Sequence, residues 1–377
     1  RKINVKNHII RFTGNFSNKI PKKNTISNLL KILDEMKKLK NQKYLISIKK
    51  NIPKEVRWGL SLSGGVDSSL LCALAKSKGY SFNCYTLDTG GGPDLEAAKE
   101  VHGITVRTAN ISRKIIENSK NLQVVSRHGV GYDSIDIDAL NDCNIPLAIA
   151  AHSNMISVAE HAMFMLLALS KNVFYYDTFA RKADWSTRWD IRAWDLAEKN
   201  LLVIGFGRIG SRLVKRALAF DMKVFVYDPY VDASEIKNSG ANQVNNFLDI
   251  LPQMDAVSLH CPKNEETINM FSENEFKIMK ESAFLINCAR GGIVNEVALL
   301  DALKSNKIRA AGLDVYDDEP STSSNPLFSL DNILLSPHIA GVTQEATIRM
   351  SKQAVQNVLD VFDDKVDPEV IINKNVL

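Results

Sequence analysis

The stretch Leu201-Leu202-Val203-Ile204-Gly205-Phe206-Gly207-Arg208-Ile209-Gly210 joins an apolar run to a glycine pattern, and its reading decides the fold. Four consecutive large apolar residues before the glycines read as a short strand. Gly205 permits a tight turn out of that strand, Gly207 lets backbone approach a pyrophosphate, and Gly210 lets the next helix pack against the sheet. A helix over residues 208–220 would direct its first N–H groups at the phosphates, a ready anion site. A second run, Lys223-Val224-Phe225-Val226-Tyr227, ends on Asp228, eighteen residues after Gly210. That matches the ~20-residue spacing at which an acid meets the adenine ribose hydroxyls. The Asp228 charge would repel a 2′-phosphate, so NAD is expected over NADP. A glycine turn alone also occurs in ordinary α/β domains. A strand before it, a helix after it and an acid at the next strand end favour the dinucleotide reading.

Outward from this centre, strand and helix patterns alternate from Asn154 to His338, and an amphipathic helix follows over Gln344–Phe362. Alternation of this kind predicts an α/β protein with doubly wound parallel sheets. A smaller set spans residues 103–150: strand 104–106, helix 113–119, strand 123–126, helix 137–143 and strand 146–150. Upstream, the pattern reads strand 58–63, helix 68–78, strand 81–87, a glycine-rich loop over 90–93 and helix 94–101. Residues 1–54 are polar, with one amphipathic helix over 26–39. The resulting domains are a basic extension (1–54), a separate segment (55–102), a small domain (103–150, completed by about 340–377) and a dinucleotide domain (151–339).

The length of 377 residues and a hydrophobic content of 45% suit two or three domains with sizeable cores. No stretch reaches the ~18 apolar residues of a membrane span, and the short apolar run 162–170 reads as a buried helix. Five cysteines (Cys72, Cys84, Cys143, Cys261, Cys288) without CxxC pairing suit reduced thiols in the cytoplasm, with no metal site or disulfide scaffold. No secretory signal is readable in a chain that opens on Arg1. Residues 1–54 carry 15 Lys/Arg against two acids in a protein of net charge +4. These lysines lack aromatic interleaving, so a solvated extension is favoured over a nucleic-acid contact.

Three side chains downstream of the glycine turn supply chemistry: Arg290 in Asn287-Cys288-Ala289-Arg290-Gly291-Gly292, Glu319 in Asp317-Asp318-Glu319-Pro320, and His338 in Ser336-Pro337-His338-Ile339. Hydride transfer to a 2-keto acid needs a proton donor for the carbonyl oxygen and a cation for the carboxylate or carbonyl. His338 suits the first task, because its ordinary pKa lies near neutrality. Glu319 would orient its ring and favour the protonated form. Arg290 offers a planar fork suited to a carboxylate. Singly, each has a bland explanation: a turn cap, a helix-end contact, an exposed acid. All three fall at strand-end loops, where open parallel sheets place ligands.

From about residue 103 to the end, the sequence resembles the D-isomer-specific 2-hydroxyacid dehydrogenases, especially phosphoglycerate dehydrogenase-like members. The resemblance is carried by Val125-Ser126-Arg127-His128-Gly129-Val130-Gly131-Tyr132-Asp133, Ser157-Val158-Ala159-Glu160-His161, the glycine turn, Tyr227-Asp228-Pro229, Gly312-Leu313-Asp314-Val315 and Pro337-His338-Ile339-Ala340-Gly341. It implies an NAD-binding Rossmann domain and a smaller flavodoxin-like substrate domain. It further implies Arg290, Glu319 and His338 as the catalytic trio, with His338 the proton donor. NAD contacts are implied at Gly205, Gly207, Arg208, Ile209, Gly210, Asp228, Cys288, Ala289, Asp314 and the turn of His338, Ile339, Ala340 and Gly341. Substrate-carboxylate contacts are implied at Arg107 and the Gly129-Val130-Gly131 backbone, and a homodimer through the cofactor domain. Residues 370–377 resemble the family's terminus. Phosphoglycerate, hydroxypyruvate and glyoxylate all fit as the acid used.

Upstream, the pattern departs from that family. Ser61-Leu62-Ser63-Gly64-Gly65-Val66-Asp67-Ser68-Ser69 resembles the PP-loop of ATP pyrophosphatases such as the synthetase domain of asparagine synthetases. Gly64 and Gly65 would open a backbone nest, with Ser63, Asp67, Ser68 and Ser69 around an ATP pyrophosphate. Only a small part of such a domain is present. The expectation is therefore a chimeric small domain in which residues 58–101 replace the missing strand–helix units. The competing readings are a fragment of an amide-forming ligase and an NAD-binding but inactive chimera.

Overall fold

Residues 101–107 and 109–377 are described in the computed structural model, together with the backbone of four short strands further upstream. The chain divides into two compact units, Arg1–Ser153 with Thr347–Leu377, and Asn154–Ala346. In the first unit, strands β1 (Lys2–Val5) and β2 (His8–Arg11) pair antiparallel. The polar composition there suggested no strand, since the alternation of Ile3 and Val5 is hidden among lysines and asparagines. Strands β3 (Gly59–Ser61) and β4 (Asn83–Tyr85) pair parallel, and β3 runs beside β5 (Gly103–Val106). The helices expected at 26–39, 68–78 and 94–101 and the motif Ser63, Gly64, Gly65, Asp67, Ser68 and Ser69 lie outside the described residues.

Strand β5 is followed by α1 (Arg113–Asn118), β6 (Val124–Arg127), α2 (Ile137–Asp142) and β7 (Leu147–Ile149), with the strands parallel in the order β5-β6-β7. Apolar residues at helical and strand spacing meet in one core: Val106, Ile115, Ile116, Val125, Leu140 and Leu147 are all buried. The Asp136 carboxylate accepts the Ala139 N–H and starts α2, an N-cap worth roughly 1 kcal/mol.

In the second unit the helix read from residues 162–170 is α3 (Met155–Ser170), and α4 (Val173–Arg181) follows it. Next come β8 (Asn200–Ile204), α5 (Gly210–Leu218), β9 (Lys223–Tyr227), α6 (Ala233–Asn238), β10 (Asn242–Gln243) and β11 (Ala256–Leu259). The unit closes with α7 (Glu273–Ile278), β12 (Phe284–Asn287), α8 (Glu296–Lys304), β13 (Ala310–Leu313) and β14 (Ile333–Leu335). All seven strands are parallel, in the order β10-β9-β8-β11-β12-β13-β14. Successive side chains of β8 serve opposite layers, as strand geometry requires. Leu201 and Val203 pack with Met165 and Leu213, while Leu202 and Ile204 pack with Phe276 and Leu299. Helix α5 is shorter than the expected 208–220, because the glycine turn takes up the residues before Gly210. Among the described residues, no helix is long and apolar enough to cross a membrane.

Helix α9 (Gln344–Phe362) carries the chain back to the first unit. There Asn373, 4% exposed, joins the tail to β7: its carbonyl oxygen accepts the Leu147 N–H at 2.7 Å, and its amide donates to the Ile145 carbonyl at 2.9 Å. Each buried group left unpaired costs about 1–3 kcal/mol. Asn373→Ala is therefore expected to lower the unfolding free energy by roughly 2–4 kcal/mol, read from urea denaturation followed by circular dichroism. An unchanged midpoint would show that the tail contributes nothing to the unit.

Candidate active site

Because the strands are parallel, their carboxyl ends form one row, and the strand order dictates which loops are neighbours. From β9 to β14 the row presents Asp228, Gly205, His260, the Cys288-Ala289-Arg290 turn, Asp314 and His338. The strand order reverses between β8 and β11, which places the glycine turn at the crevice where open α/β sheets bind ligands.

The turn itself separates three glycine roles. Gly205 has φ 93°, and a Cβ there would sit 2.7 Å from the His260 carbonyl carbon. At Gly210 a Cβ would lie 1.9 Å from the Gly205 oxygen, so helix and turn are in backbone contact. Gly207 meets nothing within 4 Å; a side chain there would occupy the open space that a pyrophosphate needs. No side chain caps the start of α5 at Ile209, and the Ser211 and Arg212 N–H groups are taken by the Gly207 and Ile209 carbonyls. At the end of β9, Asp228 accepts the Phe206 N–H at 2.7 Å and the Tyr230 N–H at 2.9 Å. An ionised carboxylate has about four acceptor sites, so two remain for ribose hydroxyls. These residues fit NAD.

Two further loops are held together by backbone. A Cβ at Gly291 would lie 1.7 Å from the Tyr316 oxygen, so only glycine allows the Arg290 loop to pass against the Glu319 loop. The Gly292 N–H donates to Asp317 at 2.7 Å, and the Asp317 N–H donates to Glu296 at 2.8 Å. The buried Asn287 shapes the turn from below, accepting the Ala289 N–H and donating to the Arg290 carbonyl.

The third loop is fixed by Asp314, whose side chain is 1% exposed. Its carboxylate accepts the Ser336 hydroxyl at 2.5 Å, the Ile339 N–H at 2.9 Å and the Ala340 N–H at 2.9 Å. Its carbonyl accepts the His338 N–H at 2.8 Å. His338 has φ 52°, the left-handed region, which costs a residue with a side chain about 1–2 kcal/mol. These bonds hold it there. At the end of the turn a Cβ on Gly341 would lie 2.8 Å from the Asn154 amide nitrogen.

In that turn His338 Nδ1 lies 2.5 Å from Glu319 Oε2, while Glu319 Oε1 accepts the Tyr316 N–H at 2.9 Å. The Glu319 bond raises the His338 pKa above its ordinary value, against burial and the Arg290 charge, which lower it. Burial pushes the Glu319 carboxyl upward, but the His338 and Tyr316 hydrogen bonds and the His338 and Arg290 charges hold it below the usual carboxylate range. Arg290 donates to the Ala289 carbonyl at 2.7 Å, and its charge bears on both partners. With Nδ1 turned to Glu319, Nε2 is the atom left to give or take a proton.

The structure thus brings Arg290, Glu319 and His338 together within one unit. Cys288 is buried with Sγ 3.8 Å from Met165 Sδ, and burial pushes its thiol upward, so its backbone rather than its thiol can line a cofactor. Ala289 and Ala340 are likewise buried, whereas Ile339 is exposed. Arg107, Gly129, Val130 and Gly131 belong to the first unit, where Gly129 has φ 135° and donates to the Arg127 carbonyl. Burial, with the charges of Arg107 and Arg127, pushes the neighbouring His128 down to about 4. Sequence reasoning gave no role to Ser336 or His161, because their partners lie far along the chain, and none to Asn287, which bonds only its own turn.

The NAD-binding domain model of the D-isomer specific 2-hydroxyacid dehydrogenases matches residues 163–340, and an asparagine synthase model matches residues 46–107. A D-3-phosphoglycerate dehydrogenase from Archaeoglobus fulgidus is 36% identical over 268 residues, covering 71% of this chain and 50% of that protein. A glyoxylate reductase from Thermococcus litoralis is 34% identical over 290 residues, covering 75% of this chain and 87% of that protein. D-lactate dehydrogenase from Aquifex aeolicus, solved with NAD and lactic acid, is 29% identical with a TM-score of 0.72, covering 82% of this chain and 96% of that one. The chain spans about half the length of the phosphoglycerate dehydrogenases it matches. The glycine turn, the acid after it, and the Arg290–Glu319–His338 group stand at the strand ends of one parallel sheet, and the chain belongs to the D-isomer specific 2-hydroxyacid dehydrogenase family.

Proposed function

We propose that this chain is an NAD-dependent D-2-hydroxyacid dehydrogenase acting on a small 2-keto acid of the phosphoglycerate, hydroxypyruvate or glyoxylate class. The observation that carries this reading is the His338–Glu319 hydrogen bond of 2.5 Å, with the Arg290 charge bearing on both. NADH bound at the glycine turn would supply the hydride. His338 gives its Nε2 proton to the carbonyl oxygen and takes it back in the reverse direction. Arg290 orients and polarises the keto acid through its planar fork. Glu319 keeps the ring oriented and the imidazolium favoured. Arg107 and the Gly129-Val130-Gly131 backbone are assigned to the substrate carboxylate. The Asp228 charge disfavours a 2′-phosphate, so NAD is preferred over NADP.

A homodimer through the NAD-binding unit is part of the proposal. Helix α4 has no buried residue, and Phe174, Trp185, Trp189 and Ile191 are 60%, 78%, 81% and 92% exposed. Apolar surface of this extent on one segment marks an association site. Charged replacements at Phe174 and Ile191 together are expected to halve the particle mass seen by light scattering; an unchanged mass would remove this surface from the interface.

His338→Ala should cost ~10²–10⁴-fold in kcat/KM while NADH binding, followed by its fluorescence, stays within a factor of a few. Turnover equal to that of the parent would remove His338 from the mechanism. The pH dependence has a definite sign. Keto-acid reduction requires protonated His338, whose pKa is raised by Glu319, so reduction persists above pH ~6.5 and falls as pH rises through the raised value. Glu319→Gln removes the largest raising cause and leaves burial and Arg290 opposed only by the Asp314 charge. The falling limb of the kcat/KM profile should therefore move to lower pH, and a profile that stays in place would exclude this role for Glu319.

A further inference from the structure

A second polar chain reaches the His338 turn from the helical layer. His161 lies on α3 between Val158, Ala162 and Met165, all buried, and its own side chain is 18% exposed. Its Nε2 is 2.9 Å from Ser336 Oγ, and Ser336 Oγ donates to Asp314 Oδ1 at 2.5 Å. An ionised carboxylate only accepts, and a hydroxyl has one hydrogen. Ser336 commits that hydrogen to Asp314, so toward His161 it accepts. The proton of neutral His161 therefore sits on Nε2. Asp314 is the charged group facing this imidazole, 3.9 Å from Nε2, and it is the same carboxylate that holds the N–H groups of Ile339 and Ala340. Glu160, next along α3, is paired instead with Arg216 at 2.8 Å.

We propose that His161 is a positioning residue for the reaction: its Nε2–H locks the Ser336 hydroxyl onto Asp314 and so holds the His338 imidazole against Glu319. Rotation of Ser336 would release one of the three donors on Asp314, and the left-handed turn at His338 depends on that carboxylate. The charged groups facing His338 are Glu319, Asp314 and Arg290, and none of them is altered by a change at His161. The role rests on His338 as proton donor, but the coupling between the two imidazoles can be observed without turnover.

The test is imidazole NMR of the full chain with ¹⁵N-labelled histidine, titrated from about pH 5 to 9. The parent should show His161 as the Nε2–H tautomer and His338 titrating above ~6.5. In His161→Ala and in Ser336→Ala the His338 midpoint should fall, and the double variant should fall no further than the larger single change. His161→Gln, whose amide N–H reaches the same place, should restore the parent midpoint. A His338 midpoint identical to the parent's in both alanine variants, or an Nδ1–H tautomer for His161, overturns the proposal. Ser336→Ala removes a single oxygen and carries the comparison if His161→Ala does not fold. In turnover, the alanine variants should lose roughly 10- to 100-fold in kcat with the KM for NADH unmoved; loss in that KM alone also counts against the role. Retained activity in His338→Ala would instead refute the proton-donor reading, while the titration still decides the coupling.

Discussion

A carboxylate removed from water is costly unless donors surround it, and Asp314 is such a group, placed at the end of β13 with three donors on its oxygens. Two of those donors are backbone N–H groups immediately after His338. The unfavourable φ of His338 is thus supported by a charge that would otherwise be stranded. The direction of the imidazole follows from this balance, and the Glu319 contact follows from the direction.

The sheet supplies the second constraint. Parallel pairing puts every strand end on one edge, and the order β8-β11-β12-β13-β14 leads from the glycine turn to His338 without interruption. Within that row the loops still have to approach closely. Gly291 does this by omitting a side chain against the Tyr316 carbonyl, which brings Arg290 to the same side as Glu319. Arg290 then opposes the Glu319 effect on His338, so the imidazole is biased toward the protonated form without being fixed in it. That balance suits the proton-exchanging role proposed for His338.

Much of this was legible from local pattern. Strand β9 and helix α9 have the bounds that their apolar spacing suggests, and β8 differs by one residue. The glycines at 205, 207 and 210 sit in three different surroundings, one strained, one open and one in backbone contact. Arg290, Glu319 and His338 were legible as residue types at strand-end loops. Other features were not. The β1–β2 pairing is masked by surrounding charge, and Cys288 directs its thiol into the core beside Met165. The His161–Ser336–Asp314 chain joins residues that are 175 and 22 positions apart, which no periodicity signals.

The sequence by itself determined the elements and the inventory of reactive groups, because strand, helix and glycine-turn formation are governed by neighbours within a few residues. Only the tertiary structure decided which of those groups share a proton, which carboxylate is occupied by backbone donors, and which side of Cys288 is presented. Those outcomes depend on distances of a few ångströms between loops from different strands, and the packing of the sheet and its layers sets them.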